Sequence, residues 1–201
     1  RIWGCSQIHR AWIIYGQHRY SEALAQLEGV MADPALASDE GISVAEVGPL
    51  TWALGRLLMA LSSSALATVG EPIPQRLHSI AAELQEWAKD CPENFASAAA
   101  MVQGEIERLR GRDGAAIDQY DLAIDLALEH HCPQHLTLAN GLAAQFWLKR
   151  DKAKIARVYL AETYTAYQRW GARYQVQQLG QEYGSLLSVA TLALQAEHHP
   201  D

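Results

Sequence analysis

Gly104 to Leu128 reads GEIERLRGRDGAAIDQYDLAIDLAL, and the spacing of this stretch decides the fold class. A glycine inside one predicted helix is followed by a short RGRDG turn. The helix after it carries Ala116, Tyr120 and Ala123 in the order A-x3-Y-x2-A. Small residues at these places let two antiparallel helices approach, and the aromatic ring fills the seam between them. That is the pattern of a tetratricopeptide-type helix pair, which stacks on copies of itself to bury a continuous core.

The pattern recurs on both sides of this stretch. Upstream, YSEALAQLEGV places Ala23, Leu27 and Val30 at the same spacing, after a Gly16-Gln17-His18 turn. Asp33-Pro34 is expected to close that pair, because proline cannot continue a helix. Trp52, Leu54, Gly55 and Leu58 approximate the first-helix signature W-x2-L-G-x2-Y. Leu77, Ile80, Ala81, Leu84, Trp87 and Ala88 then line one face of a further helix. About forty residues after the central stretch, Ala144, Ala156 and Leu160 stand where Gly104, Ala116 and Tyr120 stood, with Lys149-Arg150-Asp151 as the turn. Gln103 and Glu107 occupy places where a strict repeat has a leucine and an aromatic, and Thr163 replaces a small residue.

These readings predict an all-α, right-handed superhelix of tetratricopeptide-like pairs. One helical-repeat domain is expected over residues 1–192, with pairs at about 1–34, 43–90, 93–131 and 134–170. LGQEYGSLL belongs to a capping helix, 172–192, of the kind a solenoid needs at an open end, and 193–201 forms a tail.

Composition narrows the functional classes. Hydrophobic residues make up 49% of the 201 and charged residues 19%, which is a globular balance. Sixteen Lys and Arg against 23 Asp and Glu give a formal charge of −7, which disfavours nucleic acid and anionic membrane as partners. Cys5, Cys91 and Cys132 are odd in number and form no C-x-x-C pair, so a reducing cytoplasm is expected. No apolar run is long enough to span a bilayer, since Gly55 and Arg56 interrupt Leu50–Leu61. The chain begins at Arg1 without a signal-peptide pattern, and is expected to be a piece of a longer protein.

No motif carries catalysis. Walker A, G-x-G-x-x-G, H-E-x-x-H and G-x-S-x-G patterns are all missing, and Ser62-Ser63-Ser64 has no partnered base. His130, His131, Cys132 and His135 hold metal-binding side chains. Pro133, however, interrupts the i,i+4 presentation that zinc would need, so neither a metal nor a cofactor is expected. Asp118, Asp121, Asp125 and Glu129 form an acidic ridge along one helix, too extended to converge on a calcium ion. Lys149, Arg150, Lys154 and Arg157, with Lys152, form a basic face that suits an acidic partner or plain solvation. Trp12, Trp52, Trp87, Trp147 and Trp170 recur where helices meet and are expected in the core.

From Cys91 onward the chain resembles the helical-repeat region of large bacterial signalling proteins. Those proteins join a serine/threonine kinase, an ATPase, a GAF sensor and a histidine kinase. The resemblance rests on A-I-x-x-Y-x-x-A-I at 116–124, L-A-N-x-L-A-A-x-F at 138–146, I-A-x-x-Y-L at 155–160 and Y-x-R-W-G-A at 167–172. It implies a non-catalytic module that recognises a protein partner or neighbouring domains of the same polypeptide. The alternative it implies is a ligand-sensing repeat domain of a STAND-type ATPase or transcription activator, binding a small molecule or peptide in its groove. First helices line the concave face of such a superhelix, which makes Ser97, Met101, Glu105, Arg108, Gln145 and Arg150 the candidate partner-binding residues.

Overall fold

A computed structural model of the protein describes residues 2–32 and 48–197, with side chains for 6–32, 48 and 50–187. The described residues are all-helical, without a strand: α1 (Ile2–Gly16), α2 (Tyr20–Met31), α3 (Pro49–Leu66), α4 (Gln75–Asp90), α5 (Pro92–Leu109), α6 (Asp113–Glu129), α7 (Pro133–Leu148), α8 (Ala153–Trp170) and α9 (Arg173–Glu197). Proline opens α3, α5 and α7, where its missing N–H has no intrahelical acceptor to lose. Asp33-Pro34, most of the connection before α3 and residues 198–201 of the tail lie outside the described residues. Residues 193–197, expected in the tail, continue α9.

The chain divides into two compact units, 1–116 and 117–201, with the division inside α6. In the first unit α3 is central, packing against α1, α2, α4 and α5. Ile8, Leu27, Leu57, Leu58, Leu61, Leu77, Ile80, Leu84 and Met101 are buried in its interior. Gly55 allows the closest approach: a Cβ there would meet Met31 Cε at 2.3 Å and Ile8 Cδ1 at 3.3 Å. The next residue, Arg56, donates to Glu83 Oε2 from Nε at 2.8 Å and Nη2 at 2.5 Å, tying α3 to α4.

In the second unit the Tyr120 ring meets Phe146 edge-on at 6.0 Å between centroids. The helix α8 packs on α7 and α9. Leu179, Tyr183, Leu186 and Leu187 of α9 cover Ala144, Leu148, Leu160 and Tyr164 of the α7–α8 pair. Within α9, Tyr183 departs from helical geometry (φ −119°, ψ 19°), just before Gly184.

Five helix connections share one turn. His18, Gly111, His131, Asp151 and Gly171 all take the left-handed conformation, with φ between 53° and 80°. The N–H after each reaches five residues back: Arg19 to Ile14, Arg112 to Glu107, Cys132 to Ala127, Lys152 to Trp147 and Ala172 to Tyr167. Each left-handed residue itself donates to the carbonyl three residues back. These paired bonds are the Schellman closure, which satisfies the orphan carbonyls of a helix end. Gly111 and Asp151 recur about forty residues apart, as do His131 and Gly171, so the turns repeat with the period of the core residues.

Only glycine takes this conformation without steric cost, so Gly171→Ala is expected to lower stability by about 1–2 kcal/mol. Gly171→Asn should cost less, because asparagine is tolerated at this place. Urea denaturation of the two variants checks the order, and equal losses would count against backbone strain as the cause.

Candidate functional site

The helix α5 carries four of the six candidate partner-binding residues, and the structure encloses them. From Ser97 to Leu109 every α5 residue except Gln103 is buried. Met101 has no exposed surface, and Ser97 is 4% exposed with its hydroxyl unpaired. Glu105 and Arg108, one turn apart, form a buried ion pair with Arg108 Nη2 at 2.7 Å from Glu105 Oε2. The same Nη2 donates to the Ser64 carbonyl at 2.9 Å, and Ser64 Oγ donates to Glu105 Oε2 at 2.5 Å. This network fastens α5 to the last turn of α3. What the sequence placed on an open groove is an internal clamp at this level of the fold.

The two polar departures from the repeat pattern have the same kind of explanation. Glu107 is buried and accepts from Gln103 at 2.8 Å, one turn earlier, and from Arg110 Nη1 at 3.0 Å. It also pairs with Arg112. An aromatic at position 107 would fill the seam by bulk; the carboxylate instead holds two arginines of the RGRDG turn in place. The adjoining connection is fastened there too, since Gly70 N–H donates to the Leu109 carbonyl at 3.0 Å.

Gln145 and Arg150 lie in the second unit, both half-buried. Arg150 folds back over its own helix: its guanidinium sits 3.6 Å from the centroid of the Phe146 ring, and Nη1 donates to the Phe146 carbonyl at 3.2 Å. Its charge is thereby held in a cation–π contact at the end of α7. Of the basic face, Lys149 and Lys154 are exposed, whereas Arg157 is half-buried with its Nε enclosed and unpaired. The face is therefore less uniform than its sequence. On the acidic ridge, Asp121 accepts from Tyr159 Oη at 3.0 Å, joining α6 to α8, while Asp118, Asp125 and Glu129 are exposed.

The histidine–cysteine cluster is divided by the turn. His131 is the left-handed residue, Cys132 precedes α7, and His135 lies in the first turn of that helix. Among the described residues no three His, Cys, Asp or Glu side chains converge to hold a metal ion. Burial raises the Cys132 thiol, against backbone hydrogen bonds from His135 and Gln134 that lower it.

Burial lowers His135 to about 4, and its Nδ1 has no partner. The folded state thus holds this imidazole neutral, whereas the unfolded chain binds a proton near pH 6.5. Its contribution is complete above pH 6.5 and is lost as the pH falls through 6.5 toward 4. A His135→Leu variant is expected to lose about 1–3 kcal/mol less than the parent over that interval. Parallel slopes of unfolding free energy against pH would refute this.

Of the tryptophans expected in the core, Trp52, Trp87, Trp147 and Trp170 are only half-buried. Trp87 meets Phe95 of the next helix at 5.4 Å, while Trp147 meets Phe146 at 5.2 Å and Trp170 stacks on Tyr167 at 6.3 Å within their own helices. Trp12 is 3% exposed.

The described residues thus form an all-helical fold in which polar clamps, Glu105 with Arg108 and Glu107 with Arg110 and Arg112, lie at the α5 level. Over 115 residues, 57% of the chain, it is 30% identical to hybrid signal transduction histidine kinase G of Dictyostelium discoideum. The chain spans about 3% of the length of that kinase. No protein-family model and no solved structure matches. Among the described residues no helix is long and apolar enough to cross a membrane.

Proposed function

We propose that the chain is a non-catalytic interaction module of a larger signal-transduction protein, binding a protein partner or neighbouring domains. In this reading its hairpins stack as a right-handed, tetratricopeptide-like superhelix. The observation that carries it is the forty-residue recurrence of identical turns together with buried small residues, the hallmark of a stacked array whose surface serves recognition. The likeness to a segment of a signalling histidine kinase supports the signalling context.

Because Glu105 and Arg108 are internal, substituting them would disturb folding and binding together. The contact surface is better sought at Gln145, Lys149 and Lys154, which reach the surface at the end of α7 and the start of α8. Photocrosslinking groups placed at these three positions in the producing cell test the reading. Crosslinks to a defined protein, or to flanking kinase, ATPase or sensor segments, support it. Crosslinks from none of the three, with a metabolite that raises the melting temperature of the chain, would favour the ligand-sensing alternative, since a ligand bound only by the folded state stabilises it.

A further inference from the structure

The outer face of α8 carries a self-complementary pattern that the packing of the second unit does not use. Ala156, Leu160, Thr163, Ala166 and Tyr167 bury the inner face. Opposite them, Lys154, Val158 and Glu162 follow one another at four-residue intervals and so project from one side of the helix. All three are exposed; among the described residues Val158 at 62% is the most exposed large hydrophobic, and Ile155 beside it is 40% exposed.

We propose that this face binds a second copy of the chain, with the two α8 helices antiparallel about a two-fold axis at Val158. In such an isologous contact whatever residue i meets, its counterpart meets in return. Val158 then lies over Val158 of the second copy, and Lys154 of each faces Glu162 of the other. The sequence K-I-x-x-V-x-x-x-E is thus matched to itself in charge and in apolar character. This matters because the chain carries a net −7, so most of its surface repels another copy. Lys154, Val158 and Glu162 together carry no net charge, with an apolar centre and opposite charges at the two ends. One helix face covers less than the roughly 1,600 Å² of a standard interface, so the dimer is expected to be weak and salt-sensitive. Lys154 also belongs to the contact surface proposed above, so a partner bound there would compete with the dimer, whereas Val158 and Glu162 belong to the dimer face alone.

Sedimentation velocity over a range of concentrations tests it. The parent chain should show a concentration-dependent shift toward dimer, and Lys154→Glu and Glu162→Lys should each weaken association at least about tenfold. The double exchange, Lys154→Glu with Glu162→Lys, restores opposite charges at both ends and should recover dimerisation. All four residues are on the surface, so circular dichroism should be unchanged throughout. A parent that stays monomeric at every concentration overturns the proposal. So does association insensitive to the single exchanges, or a double exchange that fails to restore it.

Discussion

Replacing Arg108 with alanine is expected to destabilise the chain by about 3–5 kcal/mol, because it leaves the Glu105 carboxylate in the interior without its cation. The two side chains are 8% and 5% exposed, so solvent screens neither of them. Loss of Arg108 also removes a donor from the Ser64 carbonyl in the last turn of α3. The charge, more than the volume, sets the size of the effect. Converting both partners to apolar residues of similar bulk, Arg108→Met with Glu105→Leu, should therefore cost much less than Arg108→Ala alone. Guanidinium denaturation of the single and double variants measures the difference. A single variant within about 1 kcal/mol of the parent would show that the pair is not the clamp described.

A loss of similar size is expected at Tyr120, for a different reason. Its side chain is fully buried and packs edge-on against Phe146. Tyr120→Ala removes the ring from its contact with Phe146 and should cost about 3–5 kcal/mol. Tyr120→Phe retains the ring and should cost far less, separating the packing contribution from that of the hydroxyl. If the phenylalanine variant were as damaged as the alanine variant, hydrogen bonding rather than seam filling would be the main role of this residue.

The contrast between these two positions explains what the sequence could and could not reveal. Ala116, Tyr120 and Ala123 have no exposed surface, as the A-x3-Y-x2-A spacing predicts. Spacing reads a helix that buries one face, and α6 and α8 have such a face. It fails for α5, which is buried on nearly all sides, so that Ser97, Met101, Glu105 and Arg108 have no open side to offer. Glutamate and arginine in a sequence suggest a wet surface. Nothing in ERLR reveals that Glu105 and Arg108 satisfy each other one turn apart, or that Ser64, forty-one positions away in the hydrogen-bonding pattern, completes the network. Glu107 misled in the same manner: it departs from the repeat consensus, and its partners are the arginines of the following turn. The basic run is legible as composition, but nothing in its sequence shows that Arg150 folds onto the Phe146 ring.

The five equivalent turns also bear on how a chain of this kind can change length. Each turn is held by one N–H that donates to the carbonyl three residues back and a second that donates five residues back, and the turns recur with the helices they close. Inserting a few residues into a helix would rotate every later side chain away from its seam, since each added residue turns the helix by about 100°. Duplicating a whole segment from one turn to its equivalent would preserve both closures and present the same faces again. Growth by complete modules is therefore tolerated where growth by single codons is not, and the module, rather than the residue, is the unit in which this architecture can be lengthened or shortened.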